Sequence, residues 1–521
     1  MKRLTVLLIA VISFSLSVCN ISKKEHSEQT SHQQHSYNQQ FRSQYHFSPR
    51  QKWMNDPNGM VYYEGTYHLF FQHYPKALHW GPMHWGHATA DDLLHWQHKD
   101  IALYPDSLGY IFSGSAVVDK NNTTGFQSGE DKPLVAIFTH HNPENNIEVQ
   151  SIAYSTDAGN TWNKYQGNPV IENPGKQDFR DPKVFWHEPS SRWIMVLAAG
   201  DHVRFYSSSD LKDWTLESQF GEDDGVHGGV WECPDLFPLA LDGDEKNMKW
   251  VLLVSINPGA PNGGSGTQYF VGDFDGHRFT NEIKGNQWID YGTDNYAGVT
   301  WSNTPERKIF IGWMNNWTYA DKIPTSTWRG SMTLPRRLTL KLVSGKPRLV
   351  SQPVKELHSL SKEVFSIEDK KLSENSLNKG FVNTDLNEVM LQFRTVTGNA
   401  GEIIIRLYNK NDEELKIGFR RQGKEMYIDR RNAGVDSFHV AFPKIHRAPM
   451  TQWPDSLNLE IYLDRSSVEM FVNGGERVIT DRVFSRKPYS YLEIKTTSGE
   501  AELDQMKIFE MESVWRKEQL K

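Results

Sequence analysis

Cysteine is nearly missing from this chain. Only Cys19 and Cys233 occur in 521 residues. Cys19 falls in an N-terminal targeting segment, so once it is lipidated or removed Cys233 has no partner and a disulfide framework is excluded. Runs of basic charge are missing as well. The formal net charge is -7, with 57 Lys and Arg against 64 Asp and Glu. That balance argues against a nucleic-acid partner, which needs a basic patch. Helical periodicity is also lacking, since no long window repeats its apolar residues every 3.6 positions. What the chain has in quantity is aromatic: 17 Trp, 20 Tyr and 26 Phe. Many must be core. Others lie beside polar residues in loop-like stretches, where ring faces can stack on sugars.

The one long apolar run is at the start. Lys2 and Arg3 precede Leu4 to Val18, too short for a comfortable membrane span, and residues 1–19 read as a signal peptide. Its end, Leu16-Ser17-Val18-Cys19, resembles the bacterial lipoprotein cleavage box, with Val18 departing from it. The expectation is export, with lipidation at Cys19 as the only membrane contact, or else secretion. Residues 20–44, rich in Ser, His, Gln and Lys, read as a solvated tether.

From residue 45 to 350 the pattern is strand and turn. Runs such as Tyr67-His68-Leu69-Phe70-Phe71 and Trp193-Ile194-Met195-Val196-Leu197 are rich in aromatic and β-branched residues, with Gly, Pro, Asn and Asp between them. A weak repeat recurs as an Asp-led turn followed by an aromatic: Asp92 to Trp96, Asp157 to Trp162, Asp210 to Trp214 and, more loosely, Asp273 to Phe279. A spacing on the order of 50 to 65 residues suits four-stranded propeller blades, about five of them in this length. Residues 351–362 read as a linker. Alternating strands return over 363–521, including Val468 to Val472 before an Asn473-Gly474 hairpin signal, and read as a β-sandwich. The fold class expected is all-β, a five-bladed propeller followed by a sandwich.

Three short words carry the chemistry: Trp53-Met54-Asn55-Asp56-Pro57-Asn58-Gly59, Arg180-Asp181-Pro182 and Glu232-Cys233-Pro234-Asp235. Each sets a carboxylate close to a Pro in a turn-like frame. Separated acids of this kind suit glycosidic cleavage, which needs one carboxylate as acid and one as nucleophile or base. Amide donors beside Asp56 are expected to hold its carboxyl low, as a nucleophile requires. Trp231 is expected to desolvate Glu232 and favour its protonated form. Cys233 has no base near it in sequence and reads as buried packing. His79, His84 and His87 match no zinc spacing, so neither a metal nor a cofactor is expected.

These words resemble those of glycoside hydrolase family 32, the invertase, inulinase and levanase family, and they stand in the family's order. Phe112-Ser113-Gly114-Ser115 is similar to another family signature, and Leu463 to Phe471 to the signature of its sandwich domain. The resemblance runs from about Tyr45 to the C-terminus. It implies a propeller and sandwich, with Asp56 as nucleophile, Glu232 as acid/base and Asp181 as transition-state stabiliser of a retaining mechanism. Retention places the Asp56 and Glu232 carboxyls roughly 5 to 5.5 Å apart. It further implies substrate contacts from Trp53, Met54, Asn55, Gln72, Trp80, Phe112, Ser113, Arg180 and Trp313. The stretches Gly312 to Trp317, Asp223 to Gly229 and Ile256 to Gly259 look most like exo-acting fructan hydrolases, which release fructose from levan, inulin or sucrose. An endo-levanase, a transfructosylase and a non-catalytic fructan-binding lipoprotein are the rival readings. Linkage preference and oligomeric state stay open.

Overall fold

The computed structural model describes residues 37–374, 377–380, 388–450 and 453–515. The segment expected to be a signal peptide, with Cys19, and residues 20–36 of the expected tether lie outside the described residues. The described chain is all-β. Its helical pieces are three short 3-10 turns, Glu188–Ser190, Ala320–Lys322 and Lys355–Leu360.

Three sheets follow one another as four-stranded antiparallel meanders. The first is β1 (Lys52–Tyr63), β2 (Thr66–Tyr74), β3 (His84–Ala90) and β4 (Gln97–His98). The second is β5 (Tyr110–Val118), β6 (Leu134–Asn142), β7 (Ile147–Ser155) and β8 (Asn163–Lys164). The third is β9 (Phe179–His187), β10 (Arg192–Ala199), β11 (Val203–Ser208) and β12 (Thr215–Phe220). Another meander follows in β13 (Val230–Leu241), β14 (Asp244–Asn257), β15 (Gly266–Phe274) and β16 (Phe279–Asn281), with β17 (Gln287–Trp288) added beside β15. Next come β18 (Tyr296–Thr300), β19 (Lys308–Trp313), β20 (Trp328–Arg329), β21 (Arg336–Val343) and β22 (Lys346–Pro353). Of these, β18, β19, β21 and β22 pair in that order, one parallel bridge from Leu241 to Leu340 joins them to β13, and β20 runs parallel to β1.

The strands β1, β5, β9, β13 and β18 touch in succession, and β18 returns to touch β1. Apolar clusters fill the gaps between consecutive sheets. Val135, Ile137 and Ile152 meet Val184, Met195 and Leu197 in one gap; Val196 and Phe205 meet Leu252 and Val254 in the next. Sheets covered on both faces have continuous apolar strands, which is why Trp193 to Leu197 does not alternate.

The Asp-led words fall at one place in four sheets, between the third and fourth strands. The Asp92 carboxylate accepts from the backbone N–H of Leu94 and His95 at 3.0 and 2.9 Å. Asp157 accepts from Thr161 N–H at 2.9 Å, and Asp210 from Lys212 and Asp213 N–H at 2.9 and 3.0 Å. In the fourth copy the turn is made by Asp275, on His277 and Arg278 N–H at 2.8 and 2.7 Å. Asp273 instead lies within β15, next to its last residue, and pairs with Lys249.

The C-terminal part has two six-stranded sheets. One orders β23 (Ser361–Leu372), β34 (Ala501–Met511), β25 (Val389–Val396), β30 (Ser456–Asp464), β31 (Ser467–Val472) and β32 (Arg477–Arg482). The other orders β24 (Leu377–Gly380), β33 (Tyr491–Thr496), β26 (Glu402–Tyr408), β27 (Glu414–Arg420), β28 (Glu425–Asn432) and β29 (Ile445–Pro449). Leu391, Ile461 and Met470 of one share a core with Ile405, Ile417 and Ile494 of the other. Where one face is solvated the strand alternates, as Glu402–Tyr408 does residue by residue, whereas Ser467–Val472, which carries the junction residue Glu469, is buried on both faces. Asn473 and Gly474 both have positive φ, 50° and 69°, and turn β31 into β32.

The two parts are joined through buried charge. His46 lies between Asp464 at 2.8 Å and Glu469 at 2.9 Å, and Arg336 bridges Glu469 at 2.6 Å and Asp290 at 3.0 Å. Arg430 reaches across to Asp294 at 2.6 Å. The Leu463 to Phe471 word thus supplies the Asp464 and Glu469 of the junction.

Residues 37–44, polar enough to be grouped with the tether, are packed. Tyr37 stacks on Trp515 at 4.2 Å, and the buried Arg42 lies over the Trp328 ring at 3.9 Å and donates to Pro49 O at 2.6 Å. Composition misleads here because the partners that satisfy these polar groups are distant in sequence. The 351–362 segment is ordered too: β22 runs to Pro353, and the following 3-10 turn buries Leu357 and Leu360.

Candidate active site

Each of the five successive strands β1, β5, β9, β13 and β18 breaks register with its neighbour near one end. The breaks fall between Met54 and Pro57, between Ile111 and Gly114, opposite Val196 to Ala198, between Glu232 and Asp235, and between Tyr296 and Val299. A bulge re-aims a side chain and ends regular pairing. Proline has no N–H for the ladder and is tolerated at such breaks. That accounts for Pro57, Pro182 and Pro234 in the acidic words. The words are irregular strands and not the turns their composition suggests. Asp181 and Cys233 have φ of 67° and 46°, a left-handed backbone that side chains seldom adopt.

The breaks bring together Asp56, Ser113, Asp181, Glu232 and Tyr296, one residue from each strand. Asp56, Ser113, Asp181 and Glu232 line one cavity of about 930 Å³ with Asn55, Gln72, Trp80, Phe112 and Arg180. Asn55 Nδ2 donates to Asp56 Oδ1 at 3.0 Å and Ser113 Oγ to Oδ2 at 2.7 Å. Trp53 is buried and holds Asn55 Oδ1 through its indole N–H at 2.7 Å, so it acts behind the cavity wall. Gln72 Nε2 donates to Asn58 Oδ1 at 2.8 Å and Ile111 O at 3.0 Å. Trp80 is 40% exposed and meets the Phe112 ring edge-on at 5.9 Å.

Two more expected contacts, besides Trp53, lie behind the wall. Met54 and Trp313 are fully buried and do not line the cavity. Trp317 lines it instead, with Trp313 packed behind at 4.8 Å. Both indoles stood in one sequence word, and nothing in it says which faces out.

Arg180 Nε and NH2 donate to Glu232 Oε1 at 3.2 and 3.1 Å, and the Tyr296 hydroxyl donates to Oε2. Trp231 does not surround Glu232. Strand alternation turns it into the core between sheets, where its N–H bonds Val226 O at 2.9 Å. The Asp56 carboxyl is not held low. Burial, then the charge of Glu232, push it up to about 6, and the donors Asn55 and Ser113 offset this only in part. Asp181 is raised too, by burial first; Arg180 opposes this, while Glu232 and Asp56 add to it. Cys233 does more than pack. Its N–H donates to Asp181 Oδ2 at 3.0 Å, and its thiol lies 3.5 Å from Asp181 and 3.8 Å from Asp56. Burial and the three carboxylates push that thiol far up, which excludes a thiolate nucleophile.

His79 and His84 each bond a backbone carbonyl, and His87 pairs with His68 at 3.1 Å. Among the described residues no set of three His, Cys, Asp or Glu is placed to hold a metal ion. Sequence reasoning missed Tyr296, His141, Glu148 and Asp178. Asp178 stands two residues before Arg180 and donates nothing to a motif, and Tyr296 sits in a strand without a flanking signal.

Three acids and exposed ring faces around one cavity define a site of the carboxylate-based, sugar-cleaving class. The chain belongs to glycosyl hydrolases family 32: the family's N-terminal domain matches residues 46–353 and its C-terminal domain residues 354–510. It is 49% identical to the levanase of Bacillus subtilis (strain 168) over 92% of this chain and 72% of that protein. It is 40% identical to the extracellular exo-inulinase of Aspergillus awamori over 92% and 96%. The solved exo-inulinase from A. awamori superposes with a TM-score of 0.86 at 38% identity, covering 92% of this chain and all of that one. A β-fructofuranosidase from Schwanniomyces occidentalis complexed with fructosyl-erythritol gives 0.84 at 33%, covering 92% and 99%.

Proposed function

We propose that this protein is an exo-acting fructan hydrolase that releases fructose from chain ends with retention at the anomeric carbon. The observation that carries the reading is the meeting of Asp56, Asp181 and Glu232 around one cavity, each aimed by a break in its strand. Levanase and exo-inulinase relatives support the substrate class. The cavity volume of about 930 Å³ suits a few sugar units taken by their end. The ring of contacts β1, β5, β9, β13, β18 supports a five-bladed propeller, and the shared core of the two six-stranded sheets supports a β-sandwich behind it.

In the first step an Asp56 oxygen attacks anomeric C2 as the bond from C2 to the leaving oxygen breaks. Glu232 gives its proton to that oxygen. In the second step Glu232, now a carboxylate, takes a proton from water. The water oxygen bonds C2, the ester to Asp56 breaks, and fructose leaves. Asp181 accepts hydrogen bonds from fructose hydroxyls as positive charge develops, which is selective binding of the transition state. Ser113 and Asn55 aim the nucleophile, while Tyr296 and Arg180 hold the acid. Export, with a lipid on Cys19, completes the proposal; metabolic labelling with a fatty acid, lost in Cys19→Ser, tests it.

Early products from levan and from inulin, separated by chromatography, test the activity. Fructose alone from the first minutes is the expected result. A ladder of oligosaccharides would establish endo action, and no product from either polymer or from sucrose would leave a binding protein.

A further inference from the structure

Glu148 is a buried carboxylate that the proposed reaction leaves unused. It stands second on β7, paired across the ladder with His141 of β6. Only 3% of it is exposed, while the preceding Ile147 is 45% exposed at the cavity rim. Both Glu148 oxygens accept from Arg180 NH1, at 3.1 and 3.3 Å. His141 Nδ1 lies 3.4 Å from Oε1, and the His141 ring lies flat on Phe112 at 4.4 Å. Removing a carboxylate from water is costly, and one partner rarely offsets it. Arg180 already has Asp178 at 2.6 Å on the same nitrogen, so its charge does not require a further anion.

Geometry supplies the reason for a second anion. A guanidinium is a rigid planar fork. Glu148 and Asp178 grip its NH1 corner from two directions, and that leaves the Nε and NH2 edge facing Glu232 Oε1 in one orientation. We infer that Glu148 is a positioning residue: acting through Arg180, it fixes Glu232 for proton transfer to the leaving group, and it ties that acid to the Phe112–His141 wall of the cavity. The groups facing Glu232 are Arg180, Asp56, Asp181, the Tyr296 hydroxyl and the Cys233 thiol. Those facing Glu148 are Arg180 and His141, with the Asn173 amide on its backbone oxygen.

The inference rests on Glu232 being the acid, and the experiment separates the two. Glu148→Gln removes an anion near Glu232 and leaves the Arg180 charge less neutralised; both favour the Glu232 carboxylate. The basic limb of kcat/KM should therefore move to lower pH, by about half a unit or more. On levan or inulin kcat should fall about tenfold, and on a nitrophenyl β-fructofuranoside, whose leaving group needs no proton, by less than about threefold. Glu148→Asp keeps the charge and shortens the reach; it should keep the limb and lose kcat on the polymer only. An unmoved limb in Glu148→Gln, or equal losses on the two substrates in either variant, overturns the inference. Full polymer turnover by Glu232→Gln would instead sink the assignment of the acid itself.

Discussion

Asp56 is held between opposing influences, and they set the acid side of activity. Its carboxyl is pushed up to about 6 by burial and by Glu232. A nucleophile acts ionised, so activity should fall as pH drops through about 6, in a kcat/KM profile on a small fructoside. Ser113 donates to Asp56 Oδ2 at 2.7 Å and favours the ionised form. Ser113→Ala should therefore move that limb to higher pH and leave the alkaline limb in place. Asp56→Asn should lower kcat on the order of 10⁴-fold with the fold intact by circular dichroism. The three acids were legible because each stands beside, or two positions before, a proline in a short acidic word, although the sequence reads those words as turns and the structure has them as breaks in strands. Tyr296 carries no such mark, and Glu148 reads as one more strand-edge acid until Arg180 is folded onto it. The sign of the Asp56 shift was not legible either, since the donors are neighbours in sequence while the opposing Glu232 is not.

At the scale of the element, close approach decides where substitution hurts. Gly59 has φ of 53°, and a Cβ there would lie 2.5 Å from the Trp85 ring and 2.7 Å from that of Phe70. Gly59→Ala is expected to cost about 3 kcal/mol, from overpacking and a left-handed backbone together. Asp210→Ala loses bonds to the Lys212 and Asp213 N–H groups in a surface turn and should cost less, about 1 to 2 kcal/mol. Urea midpoints of the two variants check the order. The Asp-led turn was readable from sequence in three sheets and displaced by two residues in the fourth. In the sheet of β18, β19, β21 and β22 it is absent because β21 and β22 are joined by Ser344 and Gly345, both at positive φ, in a tight hairpin. Two-residue strands such as β4 and β8 escape any pattern search, because they are too short to show a period.

Across the whole molecule, the junction ties stability to pH. Burial alone would lower the His46 pKa, yet Asp464 and Glu469 raise it to about 9. A raised value means stabilisation that is complete below the ordinary value near 6.5 and lost as pH rises through about 9. Burial works against the Glu469 carboxylate, but Arg336 and His46 hold its pKa below the ordinary value, so its contribution disappears at the acid end. Melting temperature should thus fall as pH rises through about 9, beyond any drop in His46→Gln. That variant should itself cost about 3 to 5 kcal/mol near neutrality, the scale of breaking a buried ion pair. Asp464 and Glu469 were visible as part of a recurring word, but their partners lie more than 100 residues away in the other part of the chain, beyond any local pattern.

The distribution of indoles has an optical consequence. Of 17 tryptophans, all within the described residues, Trp80 alone is among the large exposed side chains, and it stands on the cavity rim. Trp317 lines the same cavity half-buried, and six further indoles elsewhere are half-buried, so Trp80 is the most water-exposed contributor to red-edge emission and to the fraction that a quencher such as iodide removes. A blue shift of that component on adding fructose would report cavity occupancy directly, without a label and without turnover.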